Sequence, residues 1–177
     1  MPGARSTTEE RSPATGATHG TEGAAGQSPP HLDLANRAIV EALQRDGRRP
    51  YAQIAADVSL SEAAVRRRVQ QLRDDGVIQI VAVTDPLQLG FTRQALIGIT
   101  VEGDVRQVAD RIVPLPEVDY VVVCAGSFDL LVEVVCGDDA HLLHLLNDSL
   151  RSIPGVRATE TFMYLHLAKQ SYTWGTR

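Results

Sequence analysis

The hydrophobic period changes near Val77, and that change constrains the fold more than any other feature of the chain. Before it, apolar residues recur every three or four positions, the spacing of one helix face; after it, β-branched runs alternate with two further helical stretches. Two units of different architecture are therefore required. In the first, "LDLANRAIVEALQRDG" offers Asp33 as N-cap, Ala38, Ile39, Ala42 and Leu43 as an inward stripe, and Gly47 as a stop. "YAQIAADVSL" reads as a short helix with Ile54, Ala55 and Val58 inward. "SEAAVRRRVQQLRDDG" follows, with Ser61 as N-cap, Val65, Val69 and Leu72 as its stripe and Gly76 at its end. Ser59 and Glu62 also fit a capping box, which leaves two starts open. Three helices with a short turn between the last two form a helix-turn-helix pattern.

Past Val77 a strand and linker come first, and from about Thr92 the elements read β-α-β-β-α-β. "VIQIVAVTDP" is a strand leading into a linker, "RQALIGITVEG" a second strand, and "DVRQVADRIVPLPEV" a helix stopped by Pro114 and Pro116. "DYVVVCAG" and "DLLVEVVCG" form a hairpin joined tightly at "SF", "DDAHLLHLLNDSLRSIPG" is a helix, and "VRATETFMYLHLAK" is the last strand. The expected fold is α+β: an N-terminal winged helix-turn-helix three-helix unit joined to a C-terminal ferredoxin-like βαββαβ domain with both helices on one sheet face. The boundaries are a disordered tail over 1–30, rich in Gly, Pro, Ser and Thr; the helix-turn-helix over 31–80; a linker strand and hinge over 81–91; the ferredoxin-like domain over 92–170; and a C-terminal tail over 171–177. The sheet's second face also carries apolar residues, which points to self-association.

Charge is divided between these units. The formal net charge is -5, yet residues 31–80 hold eight arginines against seven acids, and residues 81–177 hold seven bases against twelve acids. Between Ser59 and Arg73 four arginines face Glu62 alone. With the stripe at 65, 69 and 72 inward, Ser61, Glu62, Arg66, Arg67, Gln70 and Arg73 point outward. Arginines on an exposed helix can reach phosphates and guanine edges in the major groove. The plainer reading is a solvated helix face or non-specific binding to an anionic surface. The short-turn helix pair, the acid-poor helix in an acidic chain and the strand-like "GVIQIVAV" favour double-stranded DNA. Arg68 lies nearer the stripe and is expected to pair with a carboxylate inside the unit.

Other chemistry finds little support. No window reaches the roughly 18 to 20 apolar residues of a membrane span, so the chain is expected to be cytoplasmic, with no membrane partner. Cys124 and Cys136 lie in apolar runs, as reduced cysteines do. His141, His144 and Asp148 share a helix face at a spacing that suits a metal, but the polar side of an amphipathic helix explains them equally, and no metal or other cofactor is expected. There is no phosphate loop, nucleophile elbow or zinc-protease helix, so the chain reads as a non-enzyme.

The block "HLDLANRAIVEALQRDGRRPYAQIAADVSLSEAAVRRRVQQLRDDGVIQ", followed by "DPLQLG" and a region containing "AGSFDLLVEV", resembles the Lrp/AsnC family, the leucine-responsive or feast/famine transcription regulators. The resemblance spans about Leu32 to Lys169 and rests on the set: "LD" before helix one, "DGR" after it, "LS" before helix three and "DGVI" after it. It implies a homodimer that assembles to tetramers or octamers and binds an amino-acid effector between C-terminal domains. The family's Gly-x-Tyr-Asp turn matches Gly126, Ser127, Phe128 and Asp129. Gly126 would admit a ligand to the backbone, and Asp129 would accept from its ammonium group. Thr159 and Thr161, two apart on the last strand, would add hydroxyls to the same pocket. The same turn residues also suit a bare hairpin, with Asp129 capping it. Two positions depart from the family: Asn36 replaces an acid in helix one, and Phe128 replaces the tyrosine. The alternatives to a ligand-responsive regulator are a DNA-compacting architectural protein without a ligand and an amino-acid-sensing subunit of an enzyme.

Overall fold

The structure is a computed structural model that describes residues 32–176. The disordered tail expected over 1–30 lies outside the described residues. Contacts divide the described chain into two compact units, residues 86–164 and residues 32–85 with 165–176.

The helical unit contains α1 (Leu34–Arg45), α2 (Tyr51–Asp57) and α3 (Glu62–Asp74). Each long helix starts where a side chain can take an otherwise unpaired amide: Asp33 accepts from Asn36 N at 2.7 Å, and Ser61 accepts from Ala64 N at 3.2 Å. The stripes meet in one core of Ile39, Val40, Ala42 and Leu43 from α1, Ile54 and Ala55 from α2, and Val65, Val69 and Leu72 from α3; Val40 is buried, whereas Ala38, expected inward, is exposed. Gly76 ends α3 with a φ of +70°, a left-handed conformation that disfavours a side chain. The turn between α2 and α3 holds Ser59 at a φ of 55° without a glycine.

The wing strand expected from Val77 is absent among the described residues. The amides of Val77 and Ile78 return to Leu72 O, and Ile80, Val81 and Val83 are exposed. An isolated extended segment needs a neighbouring edge for its hydrogen bonds, and among the described residues none is paired with it.

The second unit has β1 (Arg93–Val101), α4 (Val105–Ile112), β2 (Val118–Val123), β3 (Leu130–Cys136), α5 (Asp139–His144), which continues as π-helix through Leu145–Leu150, and β4 (Val156–Met163). The strands lie in the order β2-β3-β1-β4, all antiparallel, which is the expected ferredoxin-like arrangement. Ala95, Ile97, Ile99, Leu130, Val132, Val134 and Cys136 point to one face and pack on Val108, Ile112, Leu142, Leu145 and Leu150 from the helices. Two sequence expectations shift. The β2–β3 connection runs over 124–129 rather than the pair "SF", and the last strand stops at Met163, with residues 165–176 grouping by their contacts with the helical unit. Gly175 N donates to Gln44 Oε1 at 3.2 Å and Thr176 Oγ1 to Glu41 Oε1 at 2.6 Å. No helix of the described residues is long and apolar enough to cross a membrane.

Candidate nucleic-acid interface and effector turn

The four arginines of α3 fall into three environments. Arg68 turns into the unit: its Nη1 donates to Asp33 Oδ2 at 2.7 Å and to Asn36 Oδ1 at 2.9 Å. The expected carboxylate partner is therefore the N-cap of α1, and Asn36 keeps an acceptor at the position where an acid is usual. Asp33 thus closes the start of α1 and ties it to α3; the Asn36 amide first and Arg68 second hold its carboxyl below the ordinary value. Arg66 donates to Glu62 Oε1 at 2.7 Å, one turn earlier, and lies 5.5 Å from the centroid of the Tyr51 ring. Arg67 and Arg73 are exposed and, among the described residues, their side chains have no hydrogen bond or ion pair. Gln70 donates to Asp74 Oδ1 at 2.7 Å. Ser61 and Glu62 stand at the exposed start of the helix, so all six outward residues share one element. Two free cations on a helix whose other side is core are placed to meet an anionic surface.

The second candidate site belongs to the α+β unit. Asp129 is held by backbone on both sides: its amide donates to Ile99 O at 2.9 Å, and Cys124 N donates to its carbonyl at 3.0 Å. Its carboxylate accepts from Val101 N at 2.7 Å, beside the register shift in β1 at Thr100/Val101. Asp129 therefore closes the hairpin and keeps a second carboxylate oxygen. Gly126 is exposed, its φ lies outside the left-handed region, and a Cβ there would meet no atom within 4 Å. Neither the turn nor a neighbour demands glycine at this position. Ser127 is exposed beside it.

Phe128 lies across the sheet face away from the helices. A Cβ on Gly98 would stand 2.7 Å from its ring, and the ring meets Phe162 edge to face at 6.0 Å between centroids. Gly98 and Phe162 are neighbours of Phe128 that spacing along the chain did not indicate. An isolated glycine inside the apolar run of β1 was the available signal, because such a glycine often marks a close approach.

Thr159 and Thr161 share a face, as their spacing requires, but not the face of Phe128. They pair with Ile99 and Ile97, whose side chains enter the helix-side core, and Arg151 Nε donates to Thr159 Oγ1 at 2.9 Å. Within the chain the sheet separates the threonines from the Phe128 ring, so the single pocket expected of these six residues is not assembled there. The histidines also diverge: His141 Nε2 meets Glu117 Oε1 at 2.9 Å and its Nδ1 accepts from Gly137 N, whereas His144 Nδ1 meets Asp148 Oδ2 at 2.6 Å. Among the described residues no three metal-binding side chains converge. Burial, with Glu117 and Asp138 nearby, pushes the Cys136 thiol up to about 11, which suits a core residue rather than a reactive thiolate.

Comparison with known proteins matches both units. Residues 32–73 match an AsnC-type helix-turn-helix domain, and residues 91–177 match an AsnC-type C-terminal dimeric alpha+beta barrel domain. An uncharacterised HTH-type transcriptional regulator of Pyrococcus abyssi is 35% identical over 143 residues, spanning 80% of this chain and 90% of the relative. The HTH-type transcriptional regulator FL11 of Pyrococcus horikoshii is 32% identical over 142 residues, 79% of this chain and 93% of the relative. Among solved structures, AsnC of E. coli superposes with a TM-score of 0.71 at 26% identity, covering 80% of this chain and 97% of that one. A transcriptional regulator of Neisseria meningitidis, solved as a complex with L-Met, gives 0.71 at 27% identity, covering 80% and 95%. With both units matched in their chain order, and with relatives that are transcriptional regulators, the chain belongs to the Lrp/AsnC family of helix-turn-helix, DNA-binding transcription regulators.

Proposed function

We propose that this chain is a cytoplasmic, sequence-specific transcription regulator that binds duplex DNA through the exposed face of α3 and works as a homo-oligomer whose α+β domain senses an amino acid. The carrying observation is the pair Arg67 and Arg73, two exposed guanidinium groups with no partner among the described residues on the second helix of a helix-turn-helix. Ser61, Glu62, Arg66 and Gln70 complete the interface. Dimerisation through the outer sheet face is supported by the half-exposed Tyr120 and Phe162 on it and by the dimeric character of the matched domain type; assembly to tetramers or octamers extends the same reading. Effector binding at Gly126, Ser127, Phe128 and Asp129 is supported by the open space over Gly126, by the spare Asp129 oxygen and by the relative solved with L-Met. Thr159 and Thr161 join only a site to which their helix-side face is presented. Coupling between effector and DNA would then be reciprocal, each altering affinity for the other by one factor.

The test is fluorescence anisotropy of the full chain on the DNA upstream of its own coding sequence and on a scrambled duplex, across salt concentrations, with and without single amino acids. A preference for the first duplex, shifted by one amino acid, is the expected result. Arg67→Ala is expected to flatten the dependence of log affinity on log salt by about one unit, the signature of one lost phosphate contact. Equal, salt-sensitive binding to both duplexes, unmoved by any amino acid, would instead support the architectural reading.

A further inference from the structure

The arginines of α3 differ in how firmly their guanidinium groups are held. Arg67 and Arg73 are free among the described residues, as suits contacts to phosphates, which accept from many directions and reward charge. Arg66 is gripped from two elements. Glu62 Oε1 takes its Nη2 from one turn back on α3, and the Tyr51 ring, on the first residue of α2, lies 5.5 Å from its Cζ. The carboxylate and the ring together restrict the guanidinium plane. Glu62 also cancels the charge of Arg66, which makes this arginine a poor releaser of counterions. Orientation matters most where both acceptors of one guanine edge must be met together, and a side chain already oriented loses less freedom on making that contact.

We propose that Arg66 is the base-reading arginine of this regulator and that Tyr51, one helix away, is a positioning residue that sets sequence specificity through it. This inference rests on the DNA interface proposed for α3. Tyr51 is half-buried at the rim of the helical core, so its ring has a fixed base from which to hold the arginine. Arg67 and Arg73 supply the affinity that does not depend on sequence.

The test uses the full chain, the duplex it enriches from a randomised pool and a scrambled duplex of equal length, with anisotropy read over a salt series. Arg66→Ala is expected to lower the affinity ratio between the two duplexes about tenfold. Tyr51→Leu keeps an apolar side chain at the core rim but removes the ring, and is expected to lower the ratio about fivefold. Tyr51→Phe restores the ratio to within about twofold of the parent, because the ring face is retained. Should Tyr51→Leu fail to fold, Glu62→Gln on the surface tests the other grip and is expected to lower the ratio while steepening the slope by up to about one unit. A parental ratio for folded Tyr51→Leu, or for Glu62→Gln if that variant stands in for it, would overturn the positioning role. Arg66→Ala that flattens the slope and spares the ratio would make Arg66 a phosphate contact and overturn the assignment. Failure of the underlying interface looks different: no duplex is enriched, or Arg67→Ala changes neither affinity nor slope.

Discussion

The exposed face of α3 and the outer face of the sheet are both candidate interfaces, but they are built in opposite ways. On α3, every relevant residue comes from one stretch of thirteen, Glu62–Asp74, with Ser61 capping it, and helical spacing alone separates the core stripe from the outward arginines. On the sheet, Phe128, Gly98 and Phe162 come from a connection and two strands, and only the register brings them together. The contrast teaches that a site carried on one helix is read from local spacing, whereas a site on a sheet face depends on which strands become neighbours. The threonines show the same dependence. Thr159 and Thr161 obey the alternation of their strand, yet pairing with Ile99 and Ile97 sends both to the helix side.

The largest expected effect attacks the sheet face. Gly98→Ala places a methyl 2.7 Å from the Phe128 ring, so the ring must leave its seat. We expect a loss of about 1–3 kcal/mol in urea unfolding, the range for overpacking, with much of it recovered in the Gly98→Ala, Phe128→Ala double variant. Additive losses would show that Phe128 does not depend on the glycine and would dissolve the cluster. A smaller effect separates the two roles of Asp129. Asp129→Asn retains an oxygen for the Val101 amide and should melt near the parent while losing the amino-acid response; Asp129→Ala also loses that hydrogen bond and about 1 kcal/mol of stability. A response that survives both substitutions would leave Asp129 as a turn residue alone.

The smallest effect belongs to the helical unit and concerns pH. The carboxyl of Asp33 is held below its ordinary value of 3.8 in the folded chain, by the Asn36 amide first and Arg68 second. The unfolded chain therefore binds this proton more readily. The contribution is complete above the unfolded value and is lost as pH falls through the folded one. Asp33→Asn, still a good N-cap, should flatten the loss of helical-unit stability below pH about 4, followed by circular dichroism across an acid titration. In the α+β unit, burial raises the Asp119 carboxyl, which acts with the opposite sign: its protonation favours the folded state as pH falls.

Much of the molecule was legible in the sequence because its signals are local. Asp33 and Ser61 cap where a cap residue precedes a helical stripe, and the β-α-β-β-α-β order follows from the alternation of periods. Even Arg68 was legible as an internal partner, since it lies one position off the outward face. The strand expected after Val77 shows the limit. Its apolar, β-branched residues suit a strand, but a strand also needs a paired edge, and the described residues provide none for this segment.

The sequence by itself determined the two units, the order of the helices and of the four paired strands, the family to which they belong and the helix that presents the arginines. Helical spacing and capping are properties of neighbouring residues, and they need no distant contact. Tertiary structure decided which arginine is free, which is gripped by Tyr51 and which turns inward to Asp33 and Asn36. It also decided that Phe128 rests on Gly98 while Thr159 and Thr161 face the other way. Those outcomes depend on residues tens of positions apart meeting through helix packing and strand register, and neither is encoded in the spacing of a single element.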